Sequence, residues 1–206
     1  MEKYQNDFIK KIAASVQKYA PKYNILVNSP IIAQAILESA WGGSKLAGYH
    51  NYFGLKAGKG YKGKTVDFKT KEEVKGKTVT ITDTFRAFDT LEDGVKGYFD
   101  FINTARYKSL KGITDPKKYL EAIKAAGYAT ASNYVASVYS VIEKNNLAQY
   151  DPGAIPAAQK NNKAVDDAFT TIAKDVIENV QKYGTGTVRK ERIYNMVQQK
   201  INSLLR

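Results

Sequence analysis

Between residues 61 and 88 the chain changes period. YKGKTVDFKTKEEVKGKTVTITDTFRAF alternates in a rough period of two and is rich in Thr, Val and Phe, the pattern of a strand rather than a helix. Lys75-Gly76-Lys77 sits at its middle like a turn, so the stretch predicts a small β-hairpin. It is the only strand signal in the chain. The fold class is therefore mainly α, interrupted by one β-hairpin.

The flanking segments repeat at three- and four-residue steps. Residues 3–20 place Phe8, Ile12, Val16 and Tyr19 on one helix face with lysines between them. Asn28-Ser29-Pro30 reads as a helix start, with Ser29 as N-cap and Pro30 in the first turn; that helix runs to about Trp41 and stops at Gly42-Gly43. Further helices are expected over 91–103, 116–127 and 132–147, the last capped by Ser132. Residues 151–163, DPGAIPAAQKNNK, are small and polar with two prolines and read as a linker. Three short helical patterns follow. The organisation expected is a domain over 1–150, a linker over 151–163 and a second unit over 164–206.

The chain has no cysteine and one histidine among 206 residues. Disulfides, cysteine-rich zinc sites and a thiol nucleophile are excluded, and a lone histidine argues against a His-based zinc site and most Ser-His chemistry. No metal or cofactor is expected, and catalysis falls to Asp, Glu, Tyr or Lys. The formal net charge of +12 fits a polyanionic partner such as nucleic acid, an anionic wall or a membrane surface, or a merely solvated surface. No run is long and apolar enough to insert into a membrane. The N-terminus lacks the apolar core of a signal peptide.

One carboxylate stands out. In AQAILESAWGG, Ile31, Gln34, Ala35 and Glu38 share a helix face, so Glu38 lies on a partly apolar stripe near the helix C-terminus. Desolvation and the negative end of the helix dipole both favour its protonated form. Such an acid can give its proton to a glycosidic oxygen; an exposed helix residue that happens to fall there is the alternative.

AQAILESAWGGSKLAGYHNYFGLKA, followed by TFRAFDTLEDGVKGYFDFI and GYATASNYVASVYSVIE, resembles the glycoside hydrolase 73 family of peptidoglycan N-acetylglucosaminidases, over about residues 5–148. The resemblance implies a lysozyme-like fold, with a helical lobe, a small β-lobe and a saccharide groove between them. It implies Glu38 as general acid and a second carboxylate on the β-lobe: alignment on Val-x-Gly-Lys puts Glu72 there, and the adjacent Glu73, otherwise a substrate contact, is the alternative, since a one-residue slip in a strand reverses which side chain faces the groove. It implies Tyr128 and Tyr134 as site aromatics that stack on a sugar or offer a hydroxyl to its N-acetyl group or to water. Trp41, Asn51, Tyr52, Phe53 and Gly54 match the family's groove loop, Trp41 equally suiting a core anchor. Where the family often has Asp-Pro, this chain has Ala131-Ser132. Arg86 and Asp89 are expected to tie the β-lobe to the helices, and His50 is given no chemistry. The hairpin is expected to move, so the two carboxylates need not be close without substrate.

The tail VIENVQKYGTGTVRKERIYNMVQQKINSLL is similar to the Cpl-7-type cell-wall-binding repeat, which implies a three-helix unit. Tyr183, Gly184, Arg189 and Tyr194 fall in its register; Arg189 is the candidate for an anionic muropeptide group, or caps a helix. An uncommitted helical bundle is the alternative for this unit.

Together these features predict a modular peptidoglycan hydrolase of endolysin or autolysin type, with bacterial peptidoglycan as partner. It would cut the GlcNAc-β-1,4-MurNAc bond, by inversion or with help from the substrate's acetamido group. A phage enzyme acting from the host cytoplasm on the wall would need no signal peptide. The alternatives are a muramidase or lytic transglycosylase on the same fold, and a non-catalytic wall-binding adaptor. No nucleic-acid recognition motif is present, so specific binding of nucleic acid is not expected.

Overall fold

A computed structural model describes residues 2–154 except 75 and 76, together with positions 174 and 178; for residues 70–79 and 81 it describes at most the backbone. The chain divides into two compact units, Met1–Ala154 and Ile155–Arg206. Tyr183, Gly184, Arg189 and Tyr194 lie outside the described residues.

The first unit is built from five helices and one hairpin: α1 (Lys3–Tyr19), α2 (Ser29–Ser39), β1 (Thr65–Val74), β2 (Lys77–Arg86), α3 (Leu91–Ile102), α4 (Pro116–Ala125) and α5 (Tyr134–Lys144), joined by short 3-10 turns. α1 buries Ile9, Ile12, Ala13 and Val16, and its lysines stay outside. α2 behaves differently. Ile31, Ile32, Ala33 and Ala35 are fully enclosed, because a helix apolar on all sides must be surrounded. It is the central helix, packed by α1, α4 and α5.

The start of α2 differs from the sequence expectation. Asn28, not Ser29, is the N-cap residue, and its own side chain caps nothing. The cap comes from 122 residues away: Asp151 accepts the Ser29 N–H at 2.7 Å and the Ser29 hydroxyl at 2.7 Å. It also accepts the Asn28 N–H at 2.6 Å. Asp151, read as the first linker residue, thus closes the first unit. In α5, Asn133 replaces Ser132 as the N-cap residue; the Ser132 carbonyl instead accepts a hydrogen bond from Lys124.

α2 ends abruptly. Ala40, Trp41 and Gly42 all have positive φ, at 48°, 60° and 78°. Such backbone costs about 1 kcal/mol per non-glycine residue. Three bonds offset it: Trp41 N–H to the Ile36 carbonyl, Ser44 N–H to the Ser39 carbonyl, and Gly42 N–H to the Ser39 hydroxyl. At Gly42 a Cβ would stand 2.9 Å from the Phe8 ring, so glycine is required there twice over.

The hairpin is antiparallel, from Thr65↔Arg86 to Val74↔Lys77, so Lys77, read as part of the turn, is paired in β2, while Lys75 and Gly76 lie outside the described residues. Its base is bonded to the loop before it: Ala57 N–H to the Thr84 carbonyl and Arg86 N–H to the Leu55 carbonyl. The Arg86 guanidinium lies over Phe101 of α3, 5.3 Å from the ring centre, and so ties the β-lobe to the helices as expected. Asp89 pairs with Lys64, closing the hairpin base instead. α3 explains its two internal glycines by close approach. A Cβ at Gly94 would lie 1.9 Å from the His50 carbonyl oxygen, and one at Gly97 would lie 2.3 Å from the Phe88 ring.

Candidate active site

Glu38 sits in the last turn of α2, just before the left-handed stop. Its side chain reaches solvent, yet enough protein crowds it that desolvation raises its carboxyl pKa above the ordinary value. Among the described residues no cation pairs with Glu38 to offset the cost of its charge.

The NYFG loop is wrapped against this carboxylate. A Cβ on Gly54, whose φ is +64°, would stand 3.5 Å from Glu38 Oε2. Asn51, expected at the substrate, is 1% exposed. Its amide donates to the Leu55 and Arg86 carbonyls and its oxygen accepts the Leu55 N–H, all at 2.9 Å. Phe53 is buried and stacks on Tyr98, with ring centres 4.3 Å apart. Tyr52 is buried, meets Phe8 edge-on and shares a 3.0 Å hydrogen bond with His50 Nδ1. These three side chains therefore hold the loop from inside; what the loop offers the groove is backbone and Gly54.

The Tyr128 and Tyr134 rings lie with their centres 6.3 Å apart, and the Glu38 charge acts on both phenols. Tyr128 is partly buried and donates its hydroxyl to the Phe53 carbonyl at 2.9 Å, locking the loop to the end of α4. Tyr134 is nearly buried, and its hydroxyl accepts from Gln34 at 2.7 Å. Burial, the largest influence on each, pushes both phenols far above their ordinary range, so they act as neutral hydrogen-bonding groups. Trp41 is half-buried against the core and lines a shallow depression of about 560 Å³ with Leu37, Val141 and Lys144. Glu38 is not among the lining residues, which agrees with the anchor reading of Trp41.

Glu72 and Glu73 occupy β1, opposite Val79 and Thr78; their side chains lie outside the described residues. Sequence reasoning placed Gly54 in the groove loop, placed Gln34 on the Glu38 face without giving it a role, and missed Asp151. An amide on an otherwise apolar helix was the available signal for Gln34.

The site has close relatives in sequence and fold. The family model for glucosaminidase, described as mannosyl-glycoprotein endo-beta-N-acetylglucosaminidase, matches residues 13–147. The exo-glucosaminidase LytG of Bacillus subtilis is 35% identical over 71% of this chain and 54% of its own length. A probable N-acetylmuramidase of Lactococcus lactis is 36% identical over 75% of this chain and 36% of its own length. The chain thus spans between a third and about half of these relatives. Among solved structures, the catalytic domain of the autolysin Auto from Listeria monocytogenes superimposes with a TM-score of 0.64. It is 29% identical, over 73% of this chain and 89% of that one. A peptidoglycan hydrolase from Sphingomonas sp. A1 gives 0.60 at 30% identity, over 70% and 91%. The helices and the small hairpin of this chain match those of lysozyme-like glycoside hydrolases, and the chain belongs to the glucosaminidase family.

Proposed function

We propose that this protein hydrolyses the glycan strand of bacterial peptidoglycan, cutting the β-1,4 bond between N-acetylglucosamine and N-acetylmuramic acid, with Glu38 as general acid. The observation that carries the reading is a carboxyl with no cation partner among the described residues, open to solvent but dehydrated, whose charge acts on two neutral tyrosines. Glu38 gives its proton to the bridging oxygen; the departing sugar frees its hydroxyl, and positive charge develops at the anomeric carbon. A water completes the cleavage, activated by Glu72 of β1, or the substrate's own acetamido oxygen attacks first. Both routes return the proton to Glu38 by the end of the cycle. Neither needs a metal.

The tail, read as a Cpl-7-type wall-binding unit around Tyr183, Gly184, Arg189 and Tyr194, holds the enzyme on its polymer and raises the local substrate concentration. The +12 charge has a matching partner in the phosphates and carboxylates of the wall. The second reading is an N-acetylmuramidase, supported by the printed name of the Lactococcus lactis relative.

Product analysis separates these readings. Purified peptidoglycan is digested, the new ends are reduced with borohydride, and the fragments are identified by mass spectrometry. Reduced N-acetylglucosamine is expected. Reduced N-acetylmuramic acid assigns the other bond, and an anhydro end assigns transglycosylation. No new ends, with wall binding intact, rejects a hydrolase in favour of an adaptor.

A further inference from the structure

Directly below the acid lies a row of polar groups that the glycosidase mechanism leaves unexplained. Gln34 is fully buried on α2, one turn before Glu38. Its Oε1 accepts the Tyr98 hydroxyl at 2.8 Å, and its Nε2 donates to the Tyr134 oxygen at 2.7 Å. The Tyr98 and Tyr119 hydroxyls are 3.0 Å apart. α2, α3, α4 and α5 each contribute one member.

We propose that Gln34 is a positioning residue whose buried amide fixes the direction of this row, so that the Tyr134 hydroxyl serves the saccharide beside Glu38 as a hydrogen-bond donor. Each phenol has one proton to give. Tyr119 is fully enclosed, and the Tyr98 oxygen is the only hydrogen-bond partner of its hydroxyl among the described residues. Its proton therefore goes to Tyr98. Tyr98 gives its own to Gln34 Oε1, and the amide turns its N–H towards Tyr134. The Tyr134 oxygen is then an acceptor on the inner side, and its proton is left for the groove. With the amide reversed, Tyr134 would donate inward and the enclosed Tyr119 proton would have no acceptor. A buried unmet donor costs about 1–3 kcal/mol, which selects the first direction. Tyr134 keeps 8% of its surface exposed and its ring centre lies 6.3 Å from that of Tyr128, within reach of the Glu38 charge, where a sugar oxygen can take the outward proton.

This inference rests on the glycosidase reading, and its test separates the two. Gln34→Glu keeps the shape. While protonated, the new carboxyl accepts from Tyr98 and donates to Tyr134, reproducing the amide. Once ionised it only accepts, and draws the Tyr134 proton inward. The titratable groups around it are Tyr98 of α3, Tyr119 of α4, Tyr134 of α5, Glu38 of α2, and Tyr107 and Tyr128 from the flanking turns. Burial raises all five phenols, so Glu38 and the new carboxyl are the groups of this set that titrate. A fully enclosed carboxyl ionises well above its ordinary range.

Soluble glycan fragments are the probe, and kcat/KM of the variant is divided by that of wild type at each pH, which cancels the part of the Glu38 titration that the two share; any shift of Glu38 by the new charge persists in the Tyr134→Phe background and is read there. The expected ratio is near one at acid pH and falls about tenfold as the new carboxyl ionises. The fall should vanish when both proteins also carry Tyr134→Phe. A ratio independent of pH, from a variant with a native circular dichroism spectrum, overturns the assignment, as does a fall that survives Tyr134→Phe. If Gln34→Glu does not fold, Gln34→Met removes both donor and acceptor. It should lower kcat by the same factor as Tyr134→Phe, with the double variant no worse; losses that multiply overturn the proposal. A wild-type enzyme that cleaves no glycan rejects the glycosidase reading and the inference with it, whereas an active wild type with a flat ratio rejects the inference alone.

Discussion

Replacing Glu38 with glutamine lowers glycan cleavage by about 10²–10⁴-fold, the range expected when a positioned general acid is lost. Glutamine matches the size of the carboxyl and can still hydrogen-bond, but it has no proton to give to a departing oxygen. The loss should fall on kcat, with wall binding unchanged, as read by release of reducing ends and by a pull-down on purified walls. The pH dependence adds a second signature. Desolvation raises the Glu38 pKa, so the wild-type acid stays protonated to higher pH than a free glutamate and activity falls as pH passes through that raised value. The residual activity of Glu38→Gln should lack this limb. A variant retaining a tenth or more of wild-type activity would remove Glu38 from the acid role.

The same shift has a consequence for stability, with the opposite sign to a salt-bridged carboxylate. Well below the unfolded pKa both folded and unfolded chains hold the proton, and Glu38 contributes no pH dependence. Between the unfolded and the folded pKa the unfolded chain releases its proton first, so stability falls as pH rises. Above the folded pKa that loss is complete. Glu38→Gln removes it: the variant should melt slightly higher than wild type at neutral pH and at the same temperature near pH 3. This is the stability that an active site gives up for function.

Asp151→Ala should destabilise the catalytic unit by about 2–3 kcal/mol, since it removes a charged acceptor from two backbone N–H groups and a hydroxyl at a helix start. For a unit of this size that is a fall in melting temperature of roughly 5–10 °C. The Asp151 carboxylate engages the Asn28 N–H, the Ser29 N–H and the Ser29 hydroxyl. The preceding Tyr150 carbonyl accepts from the Asn28 side chain at 2.6 Å and from Gln17 at 3.2 Å. Removing Asp151 leaves the amino end of the central helix without its partners where solvent reaches only in part. Asp151→Asn keeps an acceptor without the charge and should fall between the two. A change below 1 °C by circular dichroism would show that water caps α2 as well as Asp151 does.

Asp151 also shows what sequence reading could and could not reach. Periodicity located all five helices and the hairpin, because burial of one face imposes a repeat that survives in the residue order. The turn read at Lys75-Gly76-Lys77 was one residue too long, since Lys77 pairs with Val74. Glu38 was legible as a charge where the repeat demands an apolar residue. The partner of Ser29 was not, since Asp-Pro-Gly looks the same whether it opens a linker or folds back on a helix. Asn51 misled for a related reason: a polar side chain in a loop beside a groove can face the ligand or satisfy backbone carbonyls, and only the packed loop decides. Gln34 stood in plain view on the acid's face, but its meaning depends on three tyrosines from three other helices.

α2 is fixed at both ends, by a carboxylate that seats its first turn and by a run of left-handed backbone that forbids a further one. Between Ser29 and Glu38 it therefore works as a ruler of about 14 Å. Residues along it can be exchanged, but the count cannot change. One residue inserted or deleted within α2 upstream of Glu38 swings the carboxyl about 100° around the helix axis, away from Gly54 and the tyrosines, and takes the buried α2 residues beyond the change out of register with it. Chimeras of this domain should accordingly be joined outside residues 28–42, and length variation among enzymes that share this device should gather in the loops on either side.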